Sequence, residues 1–376
     1  MGKLTRRDVL RSVPAAAVLA ASKGFAVSSG QRLFIGSNTP DGILAFDWDD
    51  PEKPEFYQVG VAAHLANVDW ITLSRDRRTI FAASEVDEFN GKPTGEVASY
   101  RIDGGELVQT SAQNSAAKGT CHVALDHSGR VLLSADYGGG AAASFKVAGG
   151  KLSPAVWTEH YSGHGPVTDR QEAAHAHFAS FSPDNRFAYI NDLGSDCIHI
   201  YKLNAETAEL TAAGKFKTQP GSGPRTLHFH PNGATAYCMN ELASAVDVLT
   251  WHKADGDFTV VTRVELNPDR SKGTSTGCDT VITRDGRNVY FANRGDDFIF
   301  SFKADPNTGA LTPIGKTPSG GQTPRNFTLD PTERWMLVAN QGSSNLSVFA
   351  RDPHTGALSG EGRNFPCPSP MCILFV

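Results

Sequence analysis

Four residues far apart in the chain, His177, Arg225, Glu241 and Arg294, carry side chains suited to moving a proton and holding an anion. An imidazole or a carboxylate can take a proton from water. A guanidinium, planar and always charged, grips a carboxylate, a phosphate or a developing oxyanion through paired N–H donors. Each of the four stands where an apolar run begins or ends. His122, Cys278 and Arg325 share the beginnings with His177 and Arg225, and Tyr137, Asp192 and Gln341 share the ends with Glu241 and Arg294. Taken alone, Arg225 and Glu241 read equally as a structural ion pair inside one repeat. The addition of His177 and Arg294 points to chemistry, because unpaired charge in a crowded, desolvated place is costly.

The runs themselves repeat. An alternating apolar run leads to a polar turn, then to a second run ending in Asn, Asp or Glu, then to a third. The turn reads Ser74-Arg-Asp-Arg-Arg78, Asp126-His-Ser-Gly-Arg130, Ser182-Pro-Asp-Asn-Arg186, His230-Pro-Asn-Gly-Ala234, Thr283-Arg-Asp-Gly-Arg287 and Asp330-Pro-Thr-Glu-Arg334. These turns recur about every 50 residues, the period of a four-stranded propeller blade. Asp305-Pro-Asn-Thr-Gly-Ala-Leu311 and Asp352-Pro-His-Thr-Gly-Ala-Leu358 are one hairpin written twice. Six full repeats leave fragments at both ends. Arg32 to Val59 supplies three strands and lacks the first, and Pro370 to Val376 is a lone apolar strand of the missing kind. The expected fold is all-β, a seven-bladed β-propeller whose C-terminal strand pairs with the N-terminal blade and removes open sheet edges.

In an antiparallel blade the loop entering the first strand and the loop leaving the second share one face. That geometry gathers the polar residues above at the mouth of the central channel. The connection from His160 to Ala176 enters the same face and is longer than its counterparts, which reads equally as a lid or specificity loop and as a disordered surface insertion.

Several other patterns are weaker. Gly273-Thr-Ser-Thr-Gly277 matches the nucleophile-elbow spacing, yet a strand follows it where an elbow needs strand then helix. His175 and His177, with His160 and His164 nearby, lack further ligands at metal-binding spacing. The six cysteines form no C-x-x-C pair. Cys197 and Cys238 sit in apolar runs as core thiols, and Cys367 and Cys372 are close enough in sequence to pair in an oxidising compartment. No metal and no other cofactor is expected.

The motifs Gly223-Pro-Arg-Thr-Leu-His-Phe-His-Pro-Asn-Gly233, Met239-Asn-Glu-Leu242, Phe291-Ala-Asn-Arg-Gly295, Gly321-Gln-Thr-Pro-Arg-Asn-Phe327, Val338-Ala-Asn-Gln-Gly342 and the ending Pro370-Met-Cys-Ile-Leu-Phe375 resemble the seven-bladed lactonase family. That family includes propeller-type 6-phosphogluconolactonases and is related to fungal carboxy-muconate cyclases. The resemblance covers residues 31 to 376 and implies a carboxylic-ester hydrolase acting on a small-molecule lactone, 6-phosphogluconolactone being the family's substrate. It implies catalytic roles for His177, Arg225, Glu241 and Arg294, with Glu241 or His177 as general base and the two arginines on the oxyanion and on a substrate anion. His122, Asp192, Arg325 and Gln341 are the expected substrate contacts. A muconate-type cycloisomerase and a non-enzymatic secreted binding propeller are the alternatives.

Residues 1 to 30 differ in kind. Arg6-Arg7 opens a basic stretch, Val13 to Ala21 is a short apolar run, and Gly24-Phe-Ala26 places small residues for cleavage. This is the form of a twin-arginine export signal and implies a periplasmic or secreted protein. A net charge of −5 without a basic patch argues against nucleic acid as a partner. No apolar run is long enough to span a membrane in the mature chain, and a monomer is expected.

Overall fold

The structure, a computed structural model, describes residues 31–48, 52, 55–266 and 275–376. The expected export signal lies outside the described residues. Within them the regular structure is all strand, 28 strands in seven antiparallel four-stranded sheets. We number the blades from the N-terminal one.

The turns that mark the repeat work as their residues suggest. In the third blade Asp126 Oδ1 accepts the N–H groups of Arg130 and Val131 at 2.8 Å each, fixing the hairpin. In the fourth, Ser182 Oγ accepts from Phe187 N at 2.9 Å. Such side-chain acceptors close a tight turn before the next strand begins. The second strands Thr79–Ser84, Phe187–Asp192 and Thr235–Asn240 are buried at every position. Neighbouring blades cover both of their faces, so they read as continuous apolar runs and not as alternating ones. The core is accordingly divided among the blade interfaces. Tyr189, Ile198 and Ile200 of the fourth blade pack on Leu227, Cys238 and Leu249 of the fifth.

The ring closes as expected. Pro370–Phe375 pairs antiparallel with Gln31–Ser37, setting Phe34 opposite Leu374 and Ile35 opposite Ile373. Ile373 then joins Leu33, Trp48, Leu337 and Leu346 in the core between the seventh and first blades. All six cysteines are free and buried. Cys367 and Cys372 do not pair: Cys367 belongs to the core between the seventh and first blades, Cys372 to that between the first and second.

Deleting residues 370–376 removes the buried Met371, Cys372 and Ile373 and strips one blade of its inner strand. At roughly 1.5–3 kcal/mol per large apolar side chain, the loss is of the order of the whole stability of a domain. The truncated chain should melt well below the intact one or fail to fold, as read by circular dichroism; an unchanged Tm would refute closure by this strand.

Candidate functional site

Each blade carries the same irregularity near the start of its first strand, where the ladder to the second strand slips by one residue. The residues left without a cross-strand partner are Asp69, Cys121, His177, Arg225, Arg325 and Met371; in the sixth blade the slip takes in Cys278 and Asp279. A β-bulge of this kind re-aims a side chain out of the sheet. Here it turns seven equivalent residues into the central channel.

A backbone hydrogen bond fixes a second set of residues above the first. In six of the blades the N–H of the residue that follows the second strand donates to the carbonyl two residues before the bulged one. Glu241 donates to Gly223 at 2.7 Å, Glu85 to Asn67 at 2.8 Å, Tyr137 to Gly119 at 2.8 Å and Gln341 to Thr323 at 3.0 Å. Asn38 and Leu193 do likewise with Ser369 and His175. Gly223 holds a left-handed φ of 63°, and a Cβ there would stand 2.6 Å from Leu242, so glycine is required beside Arg225.

The two tiers enclose a cavity of about 220 Å³. Bulged residues His177, Arg225, Arg325, Cys121 and Met371 form its floor, and Asn38, Glu85, Tyr137, Glu241, Arg294 and Gln341 its wall. Hydrogen bonds tie the floor together from blade to blade. The Cys121 thiol donates to His177 O at 3.3 Å, Arg225 Nε to Cys278 O at 2.8 Å and the Cys278 thiol to Arg325 O at 2.9 Å. Arg325 Nη2 then reaches both carboxylate oxygens of Asp69, at 3.1 and 3.0 Å.

Glu241 is the electrostatic centre. Its Oε2 accepts from Arg225 Nη1 at 2.6 Å and forms an ion pair with Arg294 Nη2 at 2.8 Å, and its Oε1 accepts from Arg170 Nη2 at 2.5 Å. Its side chain is 1 % exposed. Burial alone would raise its pKa, but the charges of Arg294, Arg225 and Arg170 outweigh burial and hold the carboxyl well below its ordinary range. Arg225 Nη1 also donates to His177 Nε2. Because a guanidinium cannot accept, that contact places the imidazole proton on Nδ1. Burial first, and then the charge of Arg225, keep His177 neutral. Both expected bases are thus engaged: Glu241 is held ionised by three guanidinium groups, and the Nε2 lone pair of His177 is occupied.

Two expected substrate contacts are corrected. Asp192 is fully buried and faces away from the cavity, taking hydrogen bonds from the backbone N–H of His175 at 2.8 Å and Gly194 at 3.1 Å. It is the last residue of its strand, the counterpart of Asn240 and not of Glu241, and one residue along a strand reverses the face. Leu193 holds the equivalent wall position. His122 is likewise one residue past the bulge. It stacks 3.9 Å from the Phe178 ring and 4.5 Å from Trp70, lining a small cavity of about 20 Å³ beneath the floor. Arg325 and Gln341 line the main cavity.

Arg170, Glu85, Asn38, Cys121 and Met371 line the same cavity and were missed as site residues. Glu85 follows Ile80-Phe-Ala-Ala-Ser84 as Glu241 follows its own strand, a signal present in the sequence. Arg170 comes from the long connection after His160, which is ordered. Gln171, fully buried, donates Nε2 to Leu193 O at 2.8 Å, and Gly165 N donates to Gln171 O at 3.0 Å.

The weaker patterns resolve locally. His175 stacks on Tyr137 at 4.4 Å and bonds Tyr137 O, pointing away from His177, while His160 and His164 are exposed. Gly273 lies outside the described residues; Ser275 accepts from Asn293 Nδ2 at 2.7 Å and runs directly into Thr276–Ile282, so no elbow forms. Asp192, Cys197 and His199 bring three metal-binding atoms together. Asp192 and His199 bridge the second and third strands as Asn240 and Asp247 do in the next blade, at 2.8 Å.

A cation-rich pocket at the channel mouth of a seven-bladed propeller is the arrangement of a small-molecule enzyme. The chain belongs to the family of seven-bladed β-propeller lactonases, whose model matches residues 32–375, and is thus a hydrolase of lactone esters. It is 33 % identical to a 6-phosphogluconolactonase of Bacillus subtilis over 81 % of this chain and 86 % of that one. A 6-phosphogluconolactonase of Formosa agariphila is 32 % identical over 81 % and 88 %. The solved structure of a periplasmic gluconolactonase from Pseudomonas aeruginosa superposes with a TM-score of 0.86 at 33 % identity, covering 93 % of this chain and 99 % of that one.

Replacing Glu241 by Gln leaves buried arginines without their shared counter-charge. It should cost about 3–5 kcal/mol by denaturant unfolding at neutral pH. A carboxyl with a depressed folded pKa stabilises fully above its unfolded pKa, and the benefit fades as pH falls toward the folded value. The deficit should therefore be complete above the ordinary value of 4.5 and shrink below it.

Proposed function

We propose that the protein hydrolyses a gluconolactone-type sugar lactone, opening the ring ester to the aldonic acid. One observation carries this reading: Arg170, Arg225 and Arg294 converge on a single carboxylate at the cavity, leaving positive charge in excess of what Glu241 neutralises. Arg225 and Arg294 stabilise the carbonyl oxygen as it becomes an oxyanion, an effect that is large in a dry, preorganised site. Glu241 holds the guanidinium planes in place. His177, neutral and hydrogen-bonded to Arg225, adds no competing charge. Arg325 and Gln341 contact the sugar.

The Arg6-Arg7 pair and the likeness to a periplasmic gluconolactonase support export, and with it a lactone met outside the cytoplasm. The positive excess also suits a lactone bearing a phosphate.

A pH-stat assay with glucono-1,5-lactone and its 6-phosphate measures the reaction directly. The wild-type chain should accelerate one or both, and Arg294→Ala should lower kcat/KM by roughly 10²-fold. Absence of acceleration on either lactone would refute the reading, and a loss under about twofold would remove Arg294 from the oxyanion role. Export is tested separately. Changing Arg6 and Arg7 to Lys should retain the protein in the cytoplasmic fraction, whereas the unaltered protein should appear in the periplasm with its N-terminus at Val27.

A further inference from the structure

Two carboxylates stand on the cavity wall, and they are in opposite states. Glu241 has both oxygens bound to guanidinium groups. The Glu85 carboxylate, among the described residues, makes no hydrogen bond or ion pair, though its backbone N–H is clamped to Asn67 O at 2.8 Å. The main chain of Glu85 is thus fixed at the cavity wall while its carboxylate oxygens remain open to whatever enters the cavity. It belongs to the second blade. Arg225 and Arg294 belong to the fifth and sixth, which lie across the channel in a ring of seven.

The charged groups around Glu85 come from several elements. Asp69 lies on the inner strand of its own blade, Asp87 on its own loop, Arg325 on the seventh blade and Arg225 on the fifth. The thiol of Cys121, on the third blade, is pushed up by burial and by Asp69 and Glu85 and stays protonated. Burial, then Asp69, raise the Glu85 carboxyl to about 7 against the pull of Arg325 and Arg225. A carboxyl so balanced exchanges its proton near neutrality, as Glu241 cannot.

We propose that Glu85 is the general base of lactone hydrolysis, taking a proton from a water held on the second-blade side of the cavity. This rests on the lactonase reading. The hydroxide equivalent adds to the lactone carbonyl carbon, and the C=O electron pair moves to the oxygen facing Arg225 and Arg294. When the tetrahedral species collapses, the bond from that carbon to the ring oxygen breaks. The protonated Glu85 returns its proton to the ring oxygen as it becomes a hydroxyl. One water is consumed, the aldonic acid forms, and its carboxyl then releases a proton to solvent.

The test compares the wild-type chain with Glu85→Gln and Glu85→Asp on glucono-1,5-lactone and its 6-phosphate, with Tm as a check on folding. A base must be unprotonated, so wild-type kcat/KM should rise with pH through a limb near the Glu85 value and level off above it. Glu85→Gln should lower kcat by roughly 10²-fold or more and abolish that limb, with KM within about threefold. Glu85→Asp should recover part of kcat and move the limb. A Gln variant that keeps more than half of kcat, or a limb unchanged in either variant, would overturn the assignment while leaving the lactonase reading intact. If the Gln variant does not fold, the Asp limb decides. No turnover by the wild-type chain would overturn the lactonase reading and the Glu85 role with it.

Discussion

In six of the seven blades the site residues are positioned by a backbone hydrogen bond between the residue leaving a second strand and the carbonyl two places before the bulged residue of the first. The bond sets the height of the wall residue and, two residues on, the height of the floor residue. Because it joins main-chain atoms, it tolerates any side chain at either place. Asp69, Cys121, His177, Arg225, Cys278, Arg325 and Met371 thus occupy one structural position with seven separate choices of chemistry. The fold fixes where a side chain points, and the sequence decides blade by blade what is delivered there.

That freedom has an electrostatic limit. Removing a charge from water costs several kcal/mol unless a partner repays the loss. Glu241 is tolerated at the wall because Arg170, Arg225 and Arg294 surround it, and Arg325 at the floor because Asp69 meets it with both oxygens. His177 meets the same limit differently. It stays neutral and accepts from Arg225, so the floor gains a polar link without a further charge. The environments of Glu241 and Glu85 push two carboxyls in opposite directions, the condition under which one can hold charge and the other can carry a proton.

The fold was legible because its signals are local. Turn residues and apolar runs recur at a fixed spacing, and the end fragments complement one another as strands. The register within the first strands was not legible. A bulge inserts one residue without changing composition, so Cys121 and His122 look interchangeable in sequence, yet one reaches the main cavity and the other stacks on Phe178 beneath the floor. Asp192 misled for a related reason, since an acidic residue closing a strand resembles Glu241, which follows one. Arg170 could not be placed from the repeat at all, because it arrives from the one connection that departs from it. Glu85 was readable from the grammar of its blade, and Ser84, standing where five other blades carry Asn or Asp, concealed the match.

The two tiers are not symmetric, and their asymmetry sets a direction across the channel. Arg225, Arg294 and Arg325 come from the fifth, sixth and seventh blades, with Arg170 added from the long connection between the third and fourth. Asp69 and Glu85 both come from the second. A ring of seven places the second blade opposite the boundary between the fifth and sixth, so the cavity has a cationic side and an acidic side. A planar ester bound between them meets the cations at its carbonyl oxygen and water from the other wall. Attack on a carbonyl carbon needs that separation, because the nucleophile must approach the face of the group while charge gathers on an oxygen held elsewhere. A sevenfold ring of equivalent blades would supply no such axis. The propeller acquires one because its blades share a backbone clamp and differ in the side chains that clamp presents.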